Sequence, residues 1–431
     1  MIRISRRSIR ASALIAAAAL AVTACGSSSS SSSRSTSAAA NPTSSTASSA
    51  TAPTGTPLKV GVIAGVNTPL GSFPEVFAAD KAAARAVNAA GGIKGHPVQV
   101  LTCNGLDNPN NELSCAKQLL QQGAVAFVGG TWIAADAAIN KALTQAHVAN
   151  IASSTPQAVD YSSPIAFQID LYAGSYVACA TKTMAALAKS TKIAPVALSL
   201  PVALSTLDNA VKPAAEANGL TWTNPVTFPV STTNFAPVVQ QVVNSHIKFV
   251  LPVMSPVALP AFLAAASQTG AQLTYCAAEG LATPGALTKA GTAAGSLYAT
   301  LSHPPISAAG QYPEIAEFLS QMKTEASAGD SSANITPNTN TPFALRAWLG
   351  MQVFKDVASG MSGAITPSSF LSAIGKAKVS LGNLETINFA KPTALGPFRR
   401  VFNANFFFVK FDTSKKDYEL VPGTTVNLLQ H

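Results

Sequence analysis

The sequence predicts an α/β protein of two doubly wound, Rossmann-like lobes, and three observations carry that expectation. From Leu58 onward, short β-branched runs alternate with Ala-rich stretches whose apolar residues recur at helical spacing. The alternation occurs in two successive series, similar in pattern but without a near-identical repeat. About 370 of the 431 residues follow Leu58, more than one hydrophobic core comfortably organises and natural for two domains.

The first series opens with a buried strand over residues 59–64. A helix over 75–90 aligns Val76, Ala79, Ala83 and Val87 on one stripe before Gly91 and Gly92 stop it. Strands over 98–101, 125–128 and 148–151 then alternate with helices over 110–122, stopped by Gly123, and 134–146. The second series predicts helices over 173–189, 206–218, 234–245 and 256–268. Its strands fall at 195–200, near Val226, at 247–253 and at 272–276.

Upstream of both series, Arg3, Arg6, Arg7 and Arg10 precede an apolar run over 13–21, and the small residues Val22, Thr23 and Ala24 precede Cys25. This is the order of a lipoprotein export signal, which predicts a signal peptide over 1–24 and lipidation of Cys25. The apolar run falls short of the roughly 20 residues a membrane-spanning helix needs. The expected location is therefore extracytoplasmic, with the protein lipid-anchored to the outer face of the cell membrane. Residues 25–57 are almost all Ser, Ala, Thr, Pro and Gly, too poor in large apolar groups to offset ordering entropy, and predict a disordered tether.

Without the four signal arginines the formal charge falls from +9 to +5, and basic doublets are confined to Arg6-Arg7, Arg399-Arg400 and Lys415-Lys416. Nucleic acid is excluded as an expected partner. Beyond Cys25 four cysteines remain, an even number in an oxidising compartment, which makes disulfides the expectation. A Cys103–Cys115 bridge would staple a strand end to the helix it feeds, contributing about 3 kcal/mol for so short a loop. Cys179 and Cys276 then pair by elimination. Neither CxxC nor HxH spacing occurs among them, so no metal is expected.

In open α/β sheets, ligands bind beyond the carboxyl ends of the strands, near helix N-termini. The loops to inspect are 66–71, 129–132, 153–156, 201–206, 254–256 and 279–280. Several carry hydroxyls or a carboxylate where a plain turn needs neither.

At these positions the chain resembles the branched-chain amino acid type of periplasmic binding protein, the solute receptor of an ABC importer. The resemblance runs from about Leu58 to Leu420. It rests on Lys59-Val-Gly-Val with Pro69-Leu-Gly71, on Ala86-Val-Asn-Ala-Ala-Gly-Gly-Ile-Lys-Gly95, and on Phe127-Val-Gly-Gly130. Ser153-Ser-Thr155, Ala278-Glu-Gly280 and Leu395-Gly-Pro397 extend it.

The resemblance implies two lobes joined by three crossovers, expected near 167–171, 303–306 and 391–396. Lobe 1 would comprise 58–168 with 305–393, including helices over 314–323 and 343–359. Lobe 2 would comprise 169–304 with 394–431, including strands around 406–411. The solute, an amino acid or amine-bearing amphiphile, would be held between the lobes of a monomer and passed to an ABC permease, with no cofactor.

The family pattern also implies roles for particular residues. Ser153, Ser154 and Thr155 would contact the ligand's charged head, and Glu279 would pair with its ammonium. The plainer alternative for Ser153 and Thr155 is helix capping or a turn, and for Glu279 an exposed turn. At Thr131, Trp132 and Ile133 the chain departs from the family's usual serines, leaving Thr131 to supply a hydroxyl. Leu204 and Met254 stand where aromatic groups commonly close over the ligand. Trp132 either packs over the ligand or fills lobe 1, and Tyr172 suits a hinge or core position better than the pocket.

Two other function classes compete. An enzyme with this fold would need a catalytic constellation, and no G-x-S-x-G, Walker A, G-x-G-x-x-G after the first strand or H-E-x-x-H occurs. A membrane-tethered ligand sensor would differ from an importer subunit in its neighbours: a kinase in place of a permease and ATPase.

Overall fold

The computed structural model describes residues 51–336 and 342–430. The export signal, Cys25 and the tether up to residue 50 lie outside the described residues. Order begins earlier than the composition suggests. The Gly55 N–H donates to the Gly95 carbonyl at 2.8 Å and His96 Nδ1 lies 2.8 Å from the Thr56 carbonyl, so the end of the expected tether is fastened to the turn before the second strand.

Strands β1 (Leu58–Ala64), β2 (Val98–Asn104), β3 (Ala126–Val128), β4 (Ala149–Ile151) and β5 (Ala166–Phe167) form a parallel sheet in the order β2-β1-β3-β4-β5. Both faces of the central strands are covered, so β1, β3 and β4 are buried along nearly their whole length, whereas edge strand β2 is largely open. Val60 and Val62 pack with the helices Pro74–Ala89 and Pro342–Gly360, while Ile63 and Phe127 pack on the other face with Pro109–Gln121 and Asp136–Ala146. The stripe Val76, Ala79, Ala83 and Val87 is buried as its spacing predicts. Asn108 caps the next helix, its side chain accepting from the Asn110 and Asn111 N–H groups, with Pro109 in the first turn.

The second sheet holds β6 (Lys192–Leu198), β7 (Thr221–Trp222), β8 (Val226–Phe228), β9 (Phe249–Val253), β10 (Thr274–Ala277) and β11 (Leu297–Leu301), all parallel. With β7 and β8 both outside β6, followed inward by β9, β10 and β11, the order repeats that of the first sheet. Two hairpins follow, β12 (Lys378–Ser380) with β13 (Thr386–Asn388) and β14 (Thr393–Leu395) with β15 (Phe398–Val401). The chain then returns to the second sheet as antiparallel β16 (Asn405–Asp412), paired to β11, and β17 (Asp417–Leu420).

Three local expectations are corrected. The helix expected over 173–189 is two, Gly174–Cys179 and Lys182–Ala188, because Thr181 is extended and its hydroxyl donates to the Ala178 carbonyl. The helix expected from Thr206 starts at Pro201 and passes through a π-helical turn, Leu207–Val211, in which the Lys212 N–H reaches back to the Leu207 carbonyl. Pro213 follows at once; it has no N–H, and its ring would crowd the carbonyl four residues back, which the wider turn relieves. The third passage between the lobes falls near Ala404, later than 391–396. Phe398 stacks edge-on against Tyr161 at 5.5 Å, and Phe398, Val401, Ala404 and Phe406 pack in the cluster that holds the first lobe's core, whereas Phe408 and Phe411 belong to the second's, and β16 joins the second sheet from Asn405.

Both expected disulfides are present. Cys103–Cys115 ties the end of β2 to the helix it feeds, and Cys179–Cys276 ties the short helix after the first crossing to β10.

Candidate functional site

A cavity of about 130 Å³ lies where the carboxyl ends of the two parallel sheets face each other. Its walls come from the loops that flank the reversal of strand order in each sheet. Leu70 and Phe73 follow β1, Thr131 and Ile133 follow β3, Leu200 and Val202 follow β6, and Met254 and Ser255 follow β9. A doubly wound sheet leaves a crevice at that reversal because neighbouring connections run to opposite faces. Ser154 and Pro156 add to the first lobe's wall, and Gly280 and Leu281 to the second's. Phe343, from the helix Pro342–Gly360, lies against Gly280, where a side chain would collide with the ring.

Beside the cavity, the crossings between lobes are bound by a buried ion network. Arg346, only 1 % exposed, donates from Nε to Asp170 Oδ2 at 2.7 Å and from Nη1 to Ser154 Oγ at 2.7 Å, and its Nη2 pairs with Glu279 Oε1. Glu279 also accepts from the Ser302 N–H and hydroxyl, each at 2.9 Å. His303 approaches Asp170 at 3.5 Å and Glu385 at 3.1 Å, and Asn403 donates to the other oxygen of Glu385. Asp170, His303 and Asn403 lie on the first, second and third crossings. Burial opposes the charge on Arg346, yet Asp170 and Glu279 more than offset it and hold the guanidinium above its ordinary pKa. Burial likewise opposes charge on His303, and Glu385 reverses the balance upward.

A profile described as periplasmic binding protein matches residues 57–416. The chain belongs to that family. Its fold is the family's type I architecture, two doubly wound lobes joined by three crossings. An extracellular ligand-binding receptor from Verminephrobacter eiseniae superposes with a TM-score of 0.72 at 15% identity, over 84% of this chain and 99% of that one. An R. palustris ABC-transporter solute-binding protein in complex with 4-hydroxybenzoate gives 0.69 at 16%, over 86% and 97%. A fatty acid ABC transporter substrate-binding protein from Thermomonospora curvata gives 0.71 at 15%, over 89% and 96%. No curated protein sequence matches the chain. At these identities the solved structures speak for the fold alone.

Within this periplasmic binding protein fold, the residues singled out from sequence part company. Thr131, Ser154 and Met254 line the cavity. Ser153 is buried beneath it, its hydroxyl donating to Asn150 Oδ1 at 2.5 Å. Thr155 is fully buried, and its carbonyl accepts from the Tyr161 hydroxyl, which in turn accepts from the Tyr172 N–H. Trp132 fills lobe 1 with Ile63, Cys115 and Phe127, and does not line the cavity. Leu204 packs on the second lobe's core one turn behind the wall made by Leu200 and Val202.

Glu279 is the principal correction. It does not line the cavity; it lines a smaller recess beside His303 and Leu345, and its carboxylate joins the ion network with Arg346 as its counter-ion. Sequence reading missed Arg346, whose signal was a lone cation inside the apolar helical run Phe343-Ala-Leu-Arg346-Ala-Trp-Leu. It also missed the pocket role of Tyr172, which together with Tyr176 and Phe343 forms an aromatic wall.

Behind the 153–155 loop lies a second buried acidic pair. Asn140 Nδ2 donates to Asp160 Oδ1 at 2.6 Å, and Asp136 sits beside Asp160; among the described residues no cation pairs with either. Burial first, and then the charge of Asp160, push Asp136 up to about 10. Burial raises Asp160 as well, against hydrogen bonding from Asp136 and Asn140. Among the described residues, no group of His, Cys, Asp and Glu is arranged to hold a metal ion, and no helix is long and apolar enough to cross a membrane.

Proposed function

We propose that this protein is an extracytoplasmic solute-binding lipoprotein of an ABC importer, which captures a small amphiphile between its lobes and presents the closed form to a membrane permease. The observation that carries the reading is the cavity built from strand-end loops of both sheets, since a solute touching both walls stabilises closure by its differential contacts. The two bodies in this reading are 58–168 with 305–404, and 169–304 with 405–430. The cavity's largely apolar wall suits a ligand with an aliphatic or aromatic body, and Thr131 and Ser154 offer hydroxyls to a polar end. An amino acid remains within this class, but its ammonium would need a partner other than Glu279. Lipidation at Cys25 would hold the protein at the outer face of the membrane.

The test is a thermal-shift screen of amino acids, amides, polyamines, alkyl amines, fatty acids and aromatic acids, followed by X-ray scattering with the strongest ligand. A rise in melting temperature and a smaller radius of gyration at saturation are expected. An unchanged radius at saturation would argue against capture by closure, and catalytic turnover of the bound compound would favour the enzyme class.

A further inference from the structure

Among the described residues, the cavity presents one charged side chain, Asp107, and no Lys, Arg or His lines it. Asp107 stands in the loop after β2, and its carboxylate is deliberately placed. Leu106 and Asp107 both adopt the left-handed region, at φ 54 and 49°, a conformation uncommon for residues with side chains. Thr68 donates its hydroxyl to Asp107 Oδ2, and Gly65 makes room, since a Cβ there would overlap the carboxylate. Among the described residues, no Lys, Arg or His forms an ion pair with it. Burial raises its pKa, with the Thr68 hydrogen bond acting in the opposite direction, as befits a half-buried anion without a counter-ion.

Four aromatic rings line the same cavity. Phe73 meets Phe343 edge-on at 5.1 Å, Phe343 meets Tyr172 at 5.5 Å, and Tyr172 meets Tyr176 at 6.4 Å. Aromatic faces attract cations, and two of these rings already do so: the Arg346 guanidinium lies 5.6 Å from the Tyr172 ring and 5.9 Å from the Phe343 ring. Arg346 is not part of the cavity wall, and Asp170 and Glu279 outweigh its single charge, so the network behind the rings does not oppose a second cation.

We propose that the solute carries an ammonium group on a small apolar body, and that Asp107 is the counter-ion that selects it. This rests on the solute-binding reading above. As the lobes close on a solute and shed water, a lone carboxylate becomes costly and a paired one is tolerated, so an ammonium removes a cost that an alcohol only partly relieves and a carboxylate ligand increases. The ammonium could belong to a simple amine or to an amino acid, and these sources are separable by experiment.

Calorimetry on the folded protein with 2-phenylethylamine, phenylalanine, 2-phenylethanol and phenylacetate compares the head groups on one ring. At least one ammonium compound is expected to bind more tightly than the alcohol and the acid, and the ratio of amine to amino acid identifies the source. Asp107→Asn should weaken the ammonium compound by roughly 10- to 100-fold, the range of a charge-assisted hydrogen bond. Thr68→Val keeps the charge but frees its aim, and should weaken it less; the melting temperature of each variant without ligand reports folding. Tighter binding of the acid or alcohol, or an unchanged ammonium affinity in a folded Asp107→Asn, overturns the inference and leaves solute binding intact. If all four fail and the wider thermal-shift screen finds a ligand without a cation, the inference alone falls; if that screen finds a cationic ligand, its loss of affinity in Asp107→Asn supports the inference and its retention overturns it. If the wider screen is silent too, both readings fall.

Discussion

The two groups of buried carboxylates keep opposite electrostatic company. At the crossings, Asp170, Glu279 and Glu385 are met by Arg346 and His303. In the first lobe, Asp136 and Asp160 meet each other, with Asn140 as the nearest donor, so the pair must retain a proton. The difference shows what each group does for the fold. The paired network joins segments far apart in the chain at the place where the lobes meet, whereas the unpaired one makes the first lobe's stability depend on pH.

Removing the shared cation breaks the comparison most directly. Arg346→Met leaves Asp170 with His303 alone and Glu279 with the Ser302 donors alone, both buried without the guanidinium, and is expected to cost about 3–5 kcal/mol, read from denaturant melts at neutral pH. Adding Asp170→Asn and Glu279→Gln to that variant should recover part of the loss, because the penalty lies mainly in the abandoned charges. No recovery would assign the loss to packing of the guanidinium.

Glu279→Gln alone tests the same network more gently. It keeps the side chain's shape and an acceptor for Ser302, and exchanges a charged partner of Arg346 for a neutral one. A loss of about 1.5–3 kcal/mol is expected, with little change in the affinity of any amine ligand. A selective loss of amine binding at unchanged stability would return Glu279 to the cavity.

The unpaired group is read through pH. Because Asp136 holds its proton in the folded state to about 10, while an unfolded carboxyl loses it near 4, the folded protein binds more protons across that interval. Stability therefore falls as pH rises from about 4 toward 10, by at most about 1.4 kcal/mol per pH unit for one proton. Asp136→Asn should reduce that slope, as measured by chemical melts at several pH values, leaving the contributions of Asp160, raised by burial, and of Asp80, which is also fully buried, without a hydrogen-bond partner and raised by burial. Equal slopes in parent and variant would show that Asp136 is ionised after all.

The smallest effect is expected at Thr155. Its hydroxyl is buried, close enough to favour charge on Asp160 but without a hydrogen bond of ordinary length. Thr155→Val should change stability by less than about 1 kcal/mol, since little is lost with an unpartnered hydroxyl. A larger loss would give that hydroxyl a share in holding the acidic pair.

Much of the scaffold was legible from local pattern. The stripe Val76, Ala79, Ala83, Val87 and the stops at Gly91 and Gly92 describe their helix almost residue for residue, because periodicity and turn chemistry act over one or two turns of chain. Failures came where a nearby proline or hydroxyl rewrote the ladder, as at Pro213 and Thr181. For the site, the loops were found and the side chains only in part. Thr131, Ser154 and Met254 face the cavity, while Ser153, Thr155 and Trp132 from the same loops turn inward, since which side of a loop meets solvent depends on what packs beneath it.

Sequence alone determined the alternation of strands and helices, the two parallel series, the strand-end loops and the Cys103–Cys115 staple, all set by residues near one another in the chain. The tertiary structure decided which carboxylate is free. Glu279 and Asp107 are both acidic residues on strand-end loops, and nothing local distinguishes them. Arg346, 67 residues beyond Glu279, reaches it across the crossings and no cation among the described residues reaches Asp107, because ion pairing follows distance in space, which the fold sets.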